Sequence, residues 1–273
     1  MSNFNNKTYL ITGASRGIGK AIAMKLAGEG ARIVIAAKST EENSRLGGTI
    51  FSVAGEIESL GGEALPVYCD IRDEELIRSM MDSVAQRFGG LDGVINNASA
   101  ISLTDTENTS AKKFDLMFDI NVRGTFLVTR YALPLLKLSS RAHILTLSPP
   151  PDLQQKWFVP HLAYTLSKYN MSLMAKSWSL EFKKYGIASN TLWPSTLIAT
   201  AAIRNLPGGE TLLQMSRKPE IMAEAASVIL QKDPSAVSGR HFTDEEILRQ
   251  EGISDFSSYA ITPGGPLQPD LFL

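Results

Sequence analysis

The stretch Thr12-Gly13-Ala14-Ser15-Arg16-Gly17-Ile18-Gly19 constrains this chain more than any other. It follows the apolar run Tyr9-Leu10-Ile11 and precedes a segment with Ile22, Met24 and Leu26. The order is therefore strand, glycine-rich turn, helix. Backbone N–H groups at a helix N-terminus have no intrahelical partner, and the helix dipole there favours an anion. Glycines allow close approach of that anion because no Cβ intervenes. The spacing, Gly-x-x-x-Gly-x-Gly, differs from the Gly-x-Gly-x-x-Gly of the common dinucleotide fingerprint. Two readings stay open at this level: a cradle for a pyrophosphate, or a turn that only closes a βα unit.

The alternation continues along the chain. Residues 32–37 form a continuous apolar run, the mark of a strand buried on both faces, and end at Lys38. After a polar loop over 39–48, residues 49–60 read as a helix stopped by Gly61-Gly62. Residues 64–68 read as a strand whose Pro66 suits an edge, and 73–88 as a helix opened by Asp73-Glu74-Glu75. A strand over 93–96, a long helix over 110–138 and a strand over 143–148 follow. The run Pro149-Pro150-Pro151 ends that strand. A second long helix over 163–185, a strand over 188–193, a loop-rich stretch over 195–219, a helix over 220–231 and a strand over 239–243 complete the pattern. The tail beyond is polar, with Pro263, Pro266 and Pro269.

Strands alternating with helices imply an α/β fold with a single doubly wound parallel sheet of about seven strands and helices on both faces. No linker, composition break or internal repeat divides the 273 residues, so one domain over 1–273 is expected. Ligands of such sheets sit at the carboxyl ends of the strands. The glycine loop, Lys38, Asp70, Asn96-Asn97, Ser148 and Pro194 all fall just past predicted strand ends.

Charge and targeting exclude several classes. A net charge of −1 and the absence of a basic stripe argue against a nucleic-acid partner. A single cysteine, Cys69, rules out an internal disulfide framework, fits a reducing compartment and reads as a small buried hydrophobe. The first residues lack an apolar signal core, no stretch is long enough to span a membrane, and Asp270-Leu271-Phe272-Leu273 is not a peroxisomal address. A cytoplasmic, soluble protein is the expectation.

Tyr164 and Lys168 lie four residues apart at the start of a helix and so face the same way. A free phenol, with a pKa near ~10, is a poor base at neutral pH. A neighbouring ammonium favours the phenolate and is expected to lower that pKa, which suits a proton donor and acceptor.

Taken together, Thr12-Gly13-x-x-x-Gly17-x-Gly19, Asn96-Asn97-Ala98, Asn121 and Tyr164-x-x-x-Lys168 resemble the short-chain dehydrogenase/reductase family. The resemblance runs from about Lys7 to Phe242. The segments around Ala36–Lys38, 97–102 and 148–150 and the tail Pro266-Leu-Gln-Pro-Asp270 resemble one branch of it more narrowly. That branch often carries a sterol-carrier domain after this region, and none is expected within these residues.

The resemblance implies roles. Tyr164 would exchange a proton with the substrate oxygen, and Lys168 would lower the Tyr164 pKa and bond the nicotinamide ribose. Asn121 would hold a water linking Lys168 to solvent, or would simply break its helix. Gly13, Ala14, Ser15, Arg16, Gly17, Ile18 and Gly19 would hold the cofactor pyrophosphate, Asn97 would line the adenosine-ribose side, and Asp70 would accept from the adenine amine. Relatives carry a catalytic serine one position after Ser148, where this chain has Pro149. Ser148 either takes over the polarising of the carbonyl oxygen or only ends a strand.

NAD-binding sheets place Asp or Glu at the end of the second strand to accept from the ribose 2′-OH. This chain has Lys38 there and Arg16 in the glycine loop, and two cations attract a 2′-phosphate. NADP(H) is thus expected over NAD(H). The stretch 195–219 carries Leu197, Ile198, Ile203, Leu206, Leu212, Leu213 and Met215, either as packing or as a lid over a hydrophobic alcohol or carbonyl substrate. Interconversion of an alcohol with a ketone or aldehyde is the implied activity. A nucleotide-binding protein with little turnover is the alternative. The two long helices resemble those that pair in the family's oligomers, which implies a homodimer or homotetramer.

Overall fold

A computed structural model describes residues 4–42 and 47–273. Part of the predicted 39–48 loop, residues 43–46, thus lies outside the described residues. Seven strands, β1 (Thr8–Thr12), β2 (Arg32–Ala37), β3 (Glu63–Tyr68), β4 (Gly93–Asn96), β5 (His143–Leu147), β6 (Ala188–Trp193) and β7 (His241–Thr243), pair in parallel in the order β3-β2-β1-β4-β5-β6-β7. The α/β fold and doubly wound sheet expected from the sequence are what the chain forms.

Helices α1 (Gly17–Gly28), α2 (Ile50–Ser59), α3 (Glu74–Phe88), α4 (Ala111–Met117), α5 (Thr125–Leu136), α6 (Leu162–Glu181), α7 (Ala201–Arg204), α8 (Gly209–Gln214), α9 (Glu220–Gln231) and α10 (Asp244–Gln250) connect and cover the strands. Side chains alternate across a strand, and β2 shows why its run is apolar throughout. Ile33 and Ile35 pack with Ile22, Ile57 and Ile229 of α1, α2 and α9. Val34 and Ala36 pack with Met80, Val128 and Trp178 of α3, α5 and α6. Each such aliphatic side chain, fully buried, stabilises the fold by roughly 1.5–3 kcal/mol. Pro66 is tolerated because β3 is an edge strand and pairs only with β2.

From β1 the strand order runs outward in both directions, through β2 to β3 and through β4 to β7. The crevice at this reversal, at the carboxyl ends of the strands, is where such sheets bind ligands.

Two elements depart from the sequence reading. The helix predicted over 110–138 is interrupted by a π-helical segment, Phe118–Gly124. Its cause is Asn121, whose Oδ1 accepts from Ala100 N at 2.7 Å while Nδ2 donates to Ala100 O and Ser167 Oγ, each at 2.9 Å. Three directed bonds from one buried carboxamide outweigh the regular ladder at that turn. The stretch 195–219, in keeping with its loop-rich sequence, holds only two short helices, α7 and α8. The tail begins with α10, whose Thr243 cap accepts from Glu246 N at 3.2 Å, and Thr-Asp-Glu-Glu was a legible start signal. Among the described residues no helix is long and apolar enough to cross a membrane.

His143, at the start of β5, is 1 % exposed, and burial holds its imidazole down to about 4 from an ordinary 6.5. Between those values the unfolded chain binds a proton that the folded chain refuses, so stability falls as pH drops through that window. The penalty reaches about 3 kcal/mol at the acid end. His143→Leu should remove it: urea unfolding at about pH 7 and about pH 4.5 should show a larger acid loss for wild type than for the variant. Equal losses would contradict this assignment.

Candidate active site

A cavity of about 670 Å³ opens at the carboxyl ends of the strands. Its volume lies within the range of small-molecule and cofactor sites. One end is built by the glycine loop. Gly13 and Gly17 adopt φ values of +68° and +56°, the left-handed region that favours glycine. A Cβ at Gly13 would lie 3.0 Å from both Ala98 Cα and Asn97 Nδ2. Arg16, at the N-cap of α1, makes no side-chain cap, so the first N–H groups of the helix stay available to a ligand. Gly13, Ser15, Arg16, Gly17 and Ile18 line the cavity.

Ala14 and Gly19 do not line it, and support the loop from behind. Ala14 is fully buried, and a Cβ on Gly19 would meet Asn97 Nδ2 at 2.5 Å and Gly13 O at 2.7 Å. Asn97 itself donates to Thr12 O at 2.8 Å and Gly13 O at 3.2 Å while lining the cavity. It therefore locks the end of β4 to the turn after β1.

Beside the loop, Arg16, Lys38, Ser39 and Asp70 gather at the ends of β2 and β3. Arg16 donates through Nε to Gly47 O at 2.7 Å and through Nη2 to Ser39 Oγ and Gly48 O, both at 2.9 Å. Lys38 is exposed. Asp70 is gripped by Arg72, whose guanidinium and backbone N–H both donate to it, and this hydrogen bonding, foremost from the Arg72 side chain, holds its carboxyl below the usual range. Arg16, Lys38 and Ser39 all line the cavity, and the residue that follows β2 is Lys38, not a carboxylate.

At the other end Tyr164 and Lys168 share one face of α6, 4 % and 2 % exposed, and both line the cavity. Among the described residues the phenol oxygen has no hydrogen-bond partner. Lys168 Nζ donates to Leu147 O at 2.9 Å, contacts Met171 Sδ at 3.7 Å and sits 5.2 Å from the centre of the Trp193 ring. Burial pulls its ammonium down to about 7. The sequence spacing predicted a Tyr164 phenol lowered by Lys168, and the structure reverses that direction. Burial first, and then Asp270, push the phenol up. An ammonium that burial itself discourages supplies too little charge to offset the desolvation of the phenol.

Asn121 and Ser148 stand outside the cavity lining. Asn121 is fully buried behind it, with both N–H groups committed to Ala100 and Ser167. Ser148 is fully buried, and its Oγ accepts from Ser172 Oγ of α6 at 3.0 Å. The same hydroxyl of Ser172 bonds Pro149 O at 2.6 Å. Ser148 directly follows the last residue of β5, Leu147.

Of the apolar residues singled out in 195–219, Leu197, Ile198, Ile203, Leu206 and Leu212 line the cavity, whereas Leu213 and Met215 do not. Thr200, just before α7, would lie 3.2 Å from a Cβ on Gly17, so this segment reaches the glycine loop. Sequence reasoning missed the tail. Gln268, Pro269, Asp270 and Leu271 complete the wall beside Tyr164 and Lys168. Trp193 Nε1 donates to Leu271 O at 2.8 Å. Phe272, 2 % exposed, sits among Trp157, His161, Tyr164, Tyr169 and Trp193, its ring centre 5.3 to 6.1 Å from theirs. The available signal was the apolar Leu271-Phe272 pair inside a polar, proline-spaced tail.

The short chain dehydrogenase family profile matches residues 7–209. Hydroxysteroid dehydrogenase-like protein 2 of Xenopus laevis is 53 % identical over 266 residues, and that of Homo sapiens 51 %, each match covering 97 % of this chain. The chain spans 63 % of the length of those relatives. A crystal structure of a short chain dehydrogenase from Mycobacterium thermoresistibile is 45 % identical, covers 98 % of this chain and 95 % of its own, and superposes with a TM-score of 0.93. A crystal structure of a putative dehydrogenase from Xanthomonas campestris is 46 % identical, covers 99 % of this chain and 98 % of its own, and reaches a TM-score of 0.95. With its sheet order, its glycine loop and its Tyr164–Lys168 pair, the chain belongs to the short-chain dehydrogenase/reductase family of oxidoreductases.

Proposed function

We propose that this protein is an NADP(H)-dependent oxidoreductase interconverting an alcohol with a ketone or aldehyde on a hydrophobic substrate. The observation that carries the proposal is the placement of Tyr164 and Lys168 in one cavity with the open N-terminus of α1. In this reading Gly13, Ser15, Arg16, Gly17 and Ile18 hold the pyrophosphate, with Ala14 and Gly19 shaping the loop behind them. Asn97 and Asp70 bound the adenosine side. Arg16 and Lys38 take the 2′-phosphate, favoured by two cations where NAD-binding sheets carry an acid.

A nicotinamide cofactor held here would supply the hydride and, when oxidised, a positive charge. The chain supplies proton transfer and positioning. In reduction, Tyr164, held neutral by burial, donates its proton to the substrate oxygen, and Lys168 offers its free donor positions to the ribose and to the phenolate left behind. Asn121 acts through position, fixing the π-helical turn against Ala100 and Ser167. The segment 195–219 serves as the lid, and its Leu197, Ile198, Ile203, Leu206 and Leu212 favour a fatty acyl or terpenoid chain over a polar substrate. Exposed Phe114, Phe126, Leu173 and Leu180 on α4, α5 and α6 offer the apolar face for a homodimer or homotetramer.

The second reading, a nucleotide-binding protein with little turnover, draws on Ser148 facing Ser172 with Pro149 beside it. Tyr164→Phe separates the two. NADPH should bind the variant and wild type alike by fluorescence titration, while reduction of aliphatic, terpenoid and steroid carbonyls should fall at least about 100-fold. Tight NADPH binding with no Tyr164-dependent turnover across the panel would favour the second reading. For the cofactor, Lys38→Asp should raise the KM for NADPH about tenfold or more and leave that for NADH far less changed. Equal effects on both would refute the 2′-phosphate assignment.

A further inference from the structure

Relatives are expected to polarise the substrate oxygen with a serine hydroxyl, and this cavity lacks one at the corresponding place. Ser148 is sealed under α6, and Pro149 has neither hydroxyl nor N–H. Gln268 turns its amide to Pro269 O at 3.3 Å. A further polar side chain lines the cavity and interacts electrostatically with both Tyr164 and Lys168: Asp270 of the tail.

The position of Asp270 is fixed on both sides. Its backbone N–H donates to Ser195 O at 3.3 Å, Thr196 bridges to Pro269, and Leu197 N donates to Gln268 O at 2.9 Å. On the other side Leu271 O is held by Trp193 and Phe272 is packed against the Tyr164 ring. Leu271 N donates to Asp270 Oδ1 at 2.6 Å. Among the described residues the second oxygen, Oδ2, has no hydrogen-bond partner.

We propose that Asp270, in its carboxylic acid form, is a catalytic residue that donates a hydrogen bond from Oδ2 to the substrate oxygen beside Tyr164. The inference rests on the oxidoreductase reading above. During reduction the acid keeps its own proton and steadies the negative charge gathering on that oxygen, while Tyr164 supplies the proton that forms the alcohol. The surroundings keep the acid form populated near neutrality. Burial foremost, and Asp244 at the start of α10, raise the carboxyl to about 7, against the opposing effects of the Leu271 N–H and Lys168. Tyr164 and Lys168 face it from α6, and the carboxylate form would in turn disfavour a phenolate at Tyr164.

Asp270→Asn keeps a donor that does not titrate, and Asp270→Leu removes the donor. With NADPH and a hydrophobic ketone that wild type reduces, kcat/KM of wild type should fall as pH rises through about 7, when the acid ionises. Asp270→Asn should lose that limb and stay within about tenfold of wild type on its acid side, whereas Asp270→Leu should lose about 100-fold or more in kcat with its NADPH affinity kept. An unchanged profile in Asp270→Asn, or wild-type turnover in Asp270→Leu, would overturn the proposal while leaving the oxidoreductase reading intact. A second readout needs no substrate. The Tyr164 phenolate absorbance, identified as the part missing from Tyr164→Phe, should appear at lower pH in Asp270→Asn than in wild type. No change there would also overturn the proposal.

Discussion

Removing Tyr164 and Lys168 from water is the constraint on which the rest of this active site depends. A phenol and an amine at 4 % and 2 % exposure both resist ionisation, the phenol pushed up and the ammonium pulled down to about 7. The aromatic cluster of Trp157, Tyr169, Trp193 and Phe272 enforces that dryness. In such surroundings each charge that enters or leaves the cavity moves the protonation of its neighbours strongly, because little solvent screens it. In the proposed reaction a neutral phenol is ready to give a proton, and a cation placed beside it would make the phenol ready to take one.

The fold provides this dryness and the polar cradle at opposite ends of one cleft. Strands buried on both faces end together, and the reversal of strand order around β1 leaves a crevice between their ends. The glycine loop and Asn97 close one side. The start of α6 closes the other. Above them, the segment holding α7 and α8 and the strap of residues 268–271 form the roof, joined where Leu197 N bonds Gln268 O. The roof's lining is mostly apolar.

How far the sequence discloses this depends on the range of the interactions. The turn after β1 and the pairing of Tyr164 with Lys168 are local: glycine spacing and a four-residue helical step place their atoms without help from distant residues. The sheet was legible from continuous apolar runs, since only strands covered on both faces tolerate them. Asn121 was visible as a polar residue inside a helix. The π-helical turn it makes needs Ala100 and Ser167, which no local pattern brings to it. The orientation of Ser148 is likewise set from α6 through Ser172, and the direction of the Tyr164 shift by burial that spacing cannot report. Asp270 was quoted only as part of a resemblance, because its place beside Lys168 comes from the docking of Phe272 far along the chain.

The central claim is that this cavity moves a hydride to a carbonyl carbon as Tyr164 protonates its oxygen. The most direct measurement follows the hydride itself: NADPH carrying deuterium at the transferable position of nicotinamide C4 is incubated with the protein and a set of hydrophobic ketones, and the alcohols are weighed by mass spectrometry. The account predicts deuterium on the carbinol carbon of at least one product, and none with Tyr164→Phe. Unlabelled products, or labelled ones formed equally without the phenol, would contradict it.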